Sequence, residues 1–403
     1  MPISQYGATL RGPRAYWILV LVLLIDSGIL GCDQLQRVIE SIGSEGADSG
    51  AMVKIGFIYS PPDPGTTRNG TELAVALANQ AGGINGVLIE LLIRDAKGNP
   101  SLSVQHAEEL IAAGVSVIVG PDYSTEAVEV GKVALRHGVP MVTTYPTNPK
   151  VSQSGRFSFM GAYTDPFQAG VAAKFATQEL RATTAAVLTE MGETYSEELS
   201  SAFVKHFTTR GGEIEVHQFY DTGATDFTEQ LKAIAAVDPP VDVIFLAGLG
   251  SEFPVAVKQA KSSDFRIAAT FLGGDGWDRP DLVEIGGMAV EGSFFVNHFS
   301  PGGGPEQLSE EAQKFVFAYT EMFGMAPDGP AALGFDSATI AIQAMRRASD
   351  VTPAAIRDEI AATQDYSGAT NLSHFDENRY AIKSAVINTV KDGKIQFYQA
   401  IEP

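Results

Sequence analysis

The chain has 403 residues and a formal net charge of −20, with 48 acidic residues against 28 Lys and Arg. This balance argues against nucleic acid as a partner, because binding there depends on Lys and Arg that neutralise phosphates. A single cysteine excludes an internal disulfide and a thiolate metal cluster. The length exceeds one compact core of typical size and is typical of two domains.

The N-terminal region has the pattern of a bacterial lipoprotein leader. Two arginines precede an unbroken apolar run at 15–25, and residues 29–32 read ILGC. The run is within the ~7–15 residues of a signal-peptide core and short of the ~18 of a membrane span. Small or apolar residues before a cysteine resemble a lipobox, in which Cys32 is acylated and becomes the mature N-terminus. We therefore expect residues 1–31 to be a signal peptide, the alternative being that Cys32 is a buried core cysteine.

Residues 32–52 are predicted to be a flexible tether, because 41–50 are rich in Gly, Ser and acidic residues and carry no apolar period. No second long apolar stretch follows the leader, so the lipid on Cys32 is the only membrane attachment that we expect. The predicted location is the cell envelope, with the chain anchored at the outer face of the cytoplasmic membrane, in the periplasm.

From residue 53 onward, short apolar segments alternate with amphipathic ones. Strands are predicted at 53–59, 87–93 and 115–120, and helices at 71–79 and 100–113. Asn99 before a proline is typical of an N-cap with Pro at the first helical position, and Gly114 is expected to end that helix. The third strand is entirely apolar or small, as expected where both faces of a sheet are covered.

The same alternation continues in the second half of the chain. Strands are predicted at 185–189, 213–219, 241–247 and 267–272, and helices at 197–207, 227–236 and 252–260. Strands that alternate with helices indicate an α/β fold with doubly wound parallel sheets, and two such series indicate two lobes. In open parallel sheets, ligands bind at the carboxyl ends of the strands. The loops that follow three of the strands are therefore the candidate site.

The first of these loops contains Ser124 and Thr125, after the strand at 115–120. Ser124 is predicted to be the N-cap of the next helix, which leaves free backbone N–H groups and a hydroxyl at a positive helix end. Such a position suits a carboxylate or another anion. The alternative is a serine that only satisfies its own helix.

The other two loops contain Tyr145 with Thr147, and Asp275 with Trp277. Prolines 146 and 149 hold the second loop extended, which leaves carbonyl groups free to accept from an ammonium. Three glycines in the third loop allow close approach of the backbone to a ligand. The alternatives are a proline-stiffened turn and a turn aspartate beside a core tryptophan.

From about residue 53 to 397 the chain resembles the leucine/isoleucine/valine-binding family of type I periplasmic solute-binding proteins, the receptors of branched-chain amino acid ABC importers. The resemblance lies in the order and spacing of several segments, namely AGGINGVLIELLIRDAKGNP, VIVGPDYSTEA, GVPMVTTYPTNP, FDSATIAIQAM and the GGDGW loop. It implies two lobes that close over a ligand and are joined by three crossovers. We expect residues 53–165 with 296–372 to form one lobe, and 166–295 with 373–403 the other.

The resemblance also implies roles for individual residues. The serine that binds the ligand α-carboxylate falls on Ser124, next to Thr125, and the threonine that contacts both ligand groups falls on Thr147. The carbonyl that accepts from the ammonium falls on Tyr145, its acidic partner on Asp275, and a second-lobe aromatic residue on Tyr195.

Two positions depart from the pattern of the family's amino-acid binders. Tyr145 stands where they tend to carry a small residue, and Leu249 where they often carry an aromatic one. The expected function is the substrate-binding component of an ABC importer, which takes an amino acid or a related small polar solute and works with a membrane permease as a monomer. The alternative is an extracytoplasmic sensor for amides, urea or aromatic acids.

Motifs of catalysis are missing from the sequence. The six histidines include no pair with metal-binding spacing, and the sequence contains neither H-E-x-x-H nor G-x-S-x-G. Gly248 and Gly250 follow a strand, but Phe253 stands where a dinucleotide fingerprint needs its third glycine. We therefore expect no enzymatic activity, no cofactor and no metal.

The lipid anchor is directly testable. Cys32→Ala removes the thiol that acylation needs, so we expect the protein to leave the membrane fraction or to remain unprocessed. Fractionation of cells followed by mass spectrometry of the N-terminus measures both outcomes. A variant that stays attached to the membrane would contradict the lipoprotein interpretation.

Overall fold

The computed structural model describes residues 52–60, 66–303 and 308–401. The signal peptide, Cys32 and tether residues 32–51 lie outside this range. Within it, no helix combines the length and apolar character needed to cross a bilayer.

Fifteen strands lie in the described residues. In chain order they are β1 (Val53–Tyr59), β2 (Ile89–Asp95), β3 (Val117–Val119), β4 (Met141–Thr143), β5 (Ser158–Met160), β6 (Thr184–Met191), β7 (Glu213–Asp221), β8 (Val243–Ala247), β9 (Thr270–Gly273), β10 (Phe294–Asn297), β11 (Gln364–Ser367), β12 (Asn371–Phe375), β13 (Ala381–Ile382), β14 (Ala385–Lys391) and β15 (Lys394–Ile401).

Twelve α-helices lie in the same residues. They are α1 (Thr66–Gln80), α2 (Pro100–Ala112), α3 (Ser124–His137), α4 (Lys150–Gln153), α5 (Asp165–Gln178), α6 (Thr194–Thr209), α7 (Thr228–Ala235), α8 (Glu252–Ala260), α9 (Asp281–Gly286), α10 (Glu310–Phe323), α11 (Gly329–Arg347) and α12 (Pro353–Ala361). Short 3-10 turns lie at Asp275–Trp277, Gly287–Val290 and Pro301–Gly303.

The first sheet has five strands in the order β2-β1-β3-β4-β5, and all its pairs are parallel. Every residue of β3, β4 and β5 is buried, because helices cover both faces of the sheet. We call this sheet and its helices the first lobe. It confirms the predicted doubly wound parallel architecture.

The second sheet has seven strands in the order β15-β14-β10-β9-β8-β6-β7, and we call it and its helices the second lobe. The five strands from β10 to β7 are parallel to their neighbours, whereas β14 and β15 pair antiparallel at the edge. The four strands that the sequence predicted here all lie in the parallel part. The antiparallel edge was not predicted, because its two strands form a hairpin without a helix between them.

A third, small antiparallel sheet joins β11, β12 and β13. Tyr366, Leu372 and Phe375 pack from it into the core that surrounds β1. The predicted lobe boundary at 372/373 falls inside β12, which continues to Phe375. The lobe bounds themselves stay a prediction.

Local signals set the helix ends. Asn99 caps α2 as predicted, because its side chain accepts hydrogen bonds from the backbone N–H groups of Ser101 and Leu102. Gly114 follows the end of α2 with a φ of 83°, a conformation that favours glycine. The N-cap prediction for Ser124 is wrong: the extended residue is Tyr123, and Ser124 is the first residue of α3.

The chain passes between the two larger sheets after β5, after β10 and after β13, as the resemblance implied.

Lys383 ties two of these connecting segments together. It is buried on the third segment, and its ammonium donates to the carbonyl of Gly161, on the first segment, at 3.2 Å. It also donates to the Thr370 hydroxyl at 2.6 Å. Burial lowers the pKa of Lys383 to about 8, while the carboxylate of Asp336 opposes this shift.

Helices α1 and α11 approach so closely at Gly70 that a Cβ atom there would lie 2.0 Å from the Ala331 carbonyl oxygen. Gly70→Ala should therefore lower the free energy of unfolding by about 1–3 kcal/mol, because backbone has to move. Gly170→Ala in α5 is the matched control, since its Cβ would meet His206 at an ordinary 3.6 Å. Chemical denaturation compares the two variants. Equal midpoints would contradict the close helix contact.

Candidate functional site

The predicted site residues lie where strands end and helices begin. Ser124 opens α3 just after β3, Thr147 lies in the loop after β4, and Asp275 follows β9. Tyr195 lies in the first turn of α6, after β6. All four are at most 3% exposed. The carboxyl ends of both parallel sheets therefore supply these residues, as expected for this architecture.

The structure brings the two first-lobe loops together. The backbone N–H of Asn148 donates to the Ser124 hydroxyl at 3.3 Å. The backbone N–H of Asp165, at the start of α5, donates to the Thr147 carbonyl at 2.8 Å. Ser124 and Thr147 thus lie on one continuous wall of the first lobe.

The Asp275 carboxyl group is the centre of the second-lobe wall. One oxygen accepts from the Gln168 amide and from the Tyr195 hydroxyl, both at 2.9 Å. The other lies 2.9 Å from Nε2 of His298. A carboxylate offers about four acceptor positions, so three protein donors leave room for one more.

His298 was not among the predicted site residues. Burial lowers its pKa to about 4, so the imidazole is neutral near pH 7 and donates its Nε2–H to Asp275. Its ring stacks on Tyr163 with 3.7 Å between ring centroids. The sequence could have predicted His298 as a site residue, because it directly follows strand β10 and so lies at the carboxyl end of a parallel strand, like the other site residues. Gln168 sits inside α5, where nothing in the sequence distinguishes it.

Tyr145 contacts the second lobe through its side chain. Its ring packs in a small buried cluster with Ala162 and Leu333, and its hydroxyl donates to the backbone carbonyl of Asp275. A small residue at this position would leave that volume empty. Asp275 is therefore hydrogen-bonded to both Tyr145 and Tyr195. The ring of Tyr145 forms part of the first-lobe wall.

Several polar atoms near these walls are buried without a partner. They include the Thr147 hydroxyl, the Tyr163 hydroxyl and both carboxyl oxygens of Asp165. Burial raises the pKa of Asp165 well above its usual value, and the Thr147 hydroxyl, close by but outside good hydrogen-bond geometry, opposes this shift. Unpaired buried polar atoms are costly, so this group is suited to hydrogen bonds from a polar ligand.

The lobes touch across the cleft at three places besides Tyr145. The Thr125 hydroxyl donates to Glu193 at 3.4 Å, and the Asn148 side chain donates to the Thr194 carbonyl at 3.0 Å. On the other side, the Gly329 N–H donates to the Asp278 carboxyl at 2.6 Å. Of the six predicted site residues, Thr125 and Tyr145 thus form hydrogen bonds to the opposite lobe.

A cavity of about 390 Å³ lies between the lobes and is large enough for a small solute. Tyr123 and Thr125, the neighbours of Ser124, line it from the first lobe, and Leu249, Glu190 and Glu252 line it from the second. In the described part of the chain, no cluster of three or more His, Cys, Asp or Glu has the geometry of a metal site.

Two buried acidic residues, Asp122 and Glu126, lie at the start of α3 and hydrogen-bond to neighbouring first-lobe segments. The Asp122 carboxyl accepts from the Ser60 N–H and the Thr67 hydroxyl at 3.0 Å, and from the Thr144 hydroxyl at 2.6 Å. Glu126 is fully buried and accepts from the Ser60 hydroxyl at 2.7 Å. Burial raises the pKa of Asp122 to about 6 and that of Glu126 to about 7.

A sequence profile of the periplasmic binding protein family matches residues 53–394. The chain belongs to this family. The Leu/Ile/Val-binding protein BraC3 of Rhizobium johnstonii is 30% identical to this periplasmic binding protein over 57% of the chain and 62% of the relative. The chain therefore spans less than two thirds of that relative's length.

Two solved structures are similar over more of the chain. A leucine binding protein LivK of Thermotoga maritima has 32% identity and a TM-score of 0.81, over 87% of this chain and 99% of that one. The protein LivJ of Streptococcus pneumoniae, solved in complex with isoleucine, has 26% identity and a TM-score of 0.80, over 88% and 100%. They confirm the predicted two-lobed fold and the resemblance to the leucine/isoleucine/valine-binding proteins.

Glu126→Gln should change how the free energy of unfolding depends on pH. The pKa of Glu126 rises from 4.5 to about 7 on folding, so its contribution to stability falls as the pH rises through this window. The fall is at most about 1.4 kcal/mol per pH unit, and glutamine removes it. We expect the variant to gain stability over the parent at about pH 8 but not at about pH 5, by urea unfolding.

Glu129→Gln is the control for this measurement, because Glu129 is 43% exposed on the same helix and pairs with Lys132. It should leave the pH profile of unfolding close to that of the parent. If Glu126→Gln also leaves the profile unchanged, the buried acid under α3 does not titrate as described.

Proposed function

We propose that this chain is the lipid-anchored substrate-binding component of an ABC importer, and that it binds an amino acid or a related small polar solute between its lobes. The observation that carries the proposal is the buried Asp275 carboxyl, which accepts three protein hydrogen bonds and keeps capacity for one more. A ligand ammonium supplies a donor of that kind.

The opposite wall suits the other end of an amino acid. Ser124 opens α3, so a carboxylate beside it meets a hydroxyl and the positive end of a 14-residue helix. The unpaired Thr147 hydroxyl is a second donor on the same wall. The relatives support this ligand class, because one is named for leucine and another was solved with isoleucine.

Binding would couple to closure of the lobes. A ligand that touches Ser124 and Thr147 on one lobe, and Tyr195 and Asp275 on the other, has more contacts when the lobes are together. It therefore shifts the hinge equilibrium towards the closed form by its differential affinity. The contacts between Thr125 and Glu193 and between Asn148 and Thr194 would close with it.

The closed form is the state that a membrane permease would recognise. Membership of the periplasmic binding protein family supports a location outside the cytoplasm, and acylation of Cys32 would hold the monomer beside its permease. No step of this mechanism makes or breaks a covalent bond. An extracytoplasmic sensor for amides, urea or aromatic acids would use the same clamp without the permease.

Ser124→Ala and Thr147→Ala should each weaken ligand binding by about 1–3 kcal/mol, because each removes a hydrogen bond to a buried carboxylate. The ligand is first found by a thermal-shift screen against amino acids, amides, urea and small carboxylates. A compound at about 100 times its Kd adds ~2.7 kcal/mol of stability. Calorimetric titration of the parent and the two variants then gives the affinities.

Ser200→Ala is the matched control, since Ser200 is as buried as Ser124 and Thr147 and its hydroxyl, like that of Thr147, has no partner, but it lies in the second turn of α6. It should bind the ligand as the parent does. Unchanged affinity in both cleft variants would refute the site. Stabilisation by an amide, urea or aromatic acid alone would favour the sensor or a different importer substrate.

A further inference from the structure

The cavity between the lobes is lined by three glutamates of the second lobe. Glu190 lies near the end of β6, Glu193 lies just before α6, and Glu252 is the first residue of α8. Burial raises the pKa of Glu190 and of Glu193, and the carboxylates of Glu252 and Glu190, respectively, add to these shifts. This acidic end of the cavity, Glu190 with Glu193 and Glu252, has no part in the α-carboxylate and ammonium contacts proposed above.

Two of these carboxyl groups are buried and each keeps an oxygen without a partner. Glu190 is 3% exposed and Glu252 is 7% exposed. One oxygen of Glu190 accepts from the Thr222 hydroxyl, and one of Glu252 accepts from the Gly223 N–H. The second oxygen of each is unpaired although the side chain lines the cavity. A buried carboxylate oxygen without a donor indicates that a ligand supplies the donor.

Protein cations do not neutralise this end of the cavity. The residues that line it, all in the described part of the chain, include no Lys, Arg or His. The nearby Arg279 is engaged by both oxygens of Asp281 and by the Leu249 carbonyl. The three carboxyl groups therefore have no cationic side chain as a partner among the residues that line the cavity.

Burial and the neighbouring acids also act on titratable groups in and around the cavity. Burial, more than the neighbouring carboxylates, raises the pKa of Glu193 to about 7. Burial first, and then the carboxylates, raise the pKa values of the Tyr123 and Tyr220 phenols, so both stay neutral. A bound cation would favour the ionised form of the glutamates.

We propose that the solute held by this protein carries a second, cationic group at the end opposite its α-carboxylate, and that Glu190 and Glu252 bind that group. The proposal rests on the proposed function and names its substrate class: amino acids with a side-chain ammonium or guanidinium. Glu193 adds negative charge on the same side.

The shape of the cavity fits such a ligand. Tyr123 and Thr125, the neighbours of Ser124, line the same cavity as the glutamates, so the predicted carboxylate position lies beside it. In the same cavity, Pro100 and Leu249 offer apolar surface for a methylene chain.

The test is calorimetric titration of the purified protein with L-arginine and with L-citrulline, which has the same chain length but a neutral urea end. We expect L-arginine to bind at least about tenfold more tightly, because the unpaired oxygens meet a charged donor. Glu190→Gln and Glu252→Gln should each lower the affinity for L-arginine about tenfold or more and leave that for L-citrulline nearly unchanged. L-lysine against L-norleucine repeats the comparison for an ammonium.

Both variants keep a side-chain oxygen for Thr222 or Gly223, and thermal unfolding without ligand checks that each is folded. The pH gives a second readout, since burial raises the pKa of Glu193 to about 7 and a protonated carboxyl beside the cavity no longer attracts a cation. The affinity for L-arginine should fall several-fold from about pH 8 to about pH 6, whereas that for L-citrulline should not.

Each outcome separates this inference from the proposed function. If L-arginine and L-citrulline bind equally, or if L-leucine binds and L-arginine does not, the inference is overturned while the amino-acid clamp stands. Unchanged preference in both glutamine variants overturns it as well. If L-leucine, L-arginine, L-lysine and L-citrulline all fail to bind, the cationic ligand is refuted together with the amino-acid ligand of the proposed function.

Discussion

A buried carboxyl group has to be hydrogen-bonded, and the satisfaction of Asp275 organises the centre of this molecule. Its donors come from α5, from α6 and from the segment after β10. The Tyr145 hydroxyl, which belongs to the first lobe, adds a bond to the backbone carbonyl of the same residue. The residue that is proposed to hold the ligand ammonium is therefore positioned by both lobes and by a connecting segment.

This arrangement links the hinge to the site. His298 lies on the second connecting segment, stacks on Tyr163 of the first, and contacts Asp275 directly. Lys383 on the third segment holds the Gly161 carbonyl of the first. A change in the angle between the lobes would disturb these contacts. Motion of the connecting segments is therefore expected to change the surroundings of Asp275. Coupling of that kind is what a binding protein needs if its partner is to distinguish the loaded form.

The binding face is rich in buried carboxyl groups, which is costly for stability. Asp122 and Glu126 lie under the first-lobe helix, and Glu190 and Glu252 line the cavity. Buried carboxyl groups of this kind are common at functional sites, where perturbed pKa values cluster, even though they lower stability. Both pairs contain a carboxyl oxygen without a partner, on Glu126 in the first pair and on Glu190 and Glu252 in the second. The second pair differs because its two side chains line the cavity, where a ligand can reach them.

The alternation of apolar strands with amphipathic helices predicted the two α/β lobes correctly, because backbone sterics give each kind of element its own hydrophobic period. The same alternation located the strand-end loops at Ser124, Thr147 and Asp275, since parallel sheets place ligands at the carboxyl ends of their strands. The antiparallel edge of β14 and β15 was not predicted. The hydrogen bonds of Gln168 and His298 to Asp275, and the shared cavity of Glu190 and Glu252, are visible in the folded structure alone. These pairs are distant along the chain, and which side chains meet across a cleft depends on packing, which no local pattern encodes.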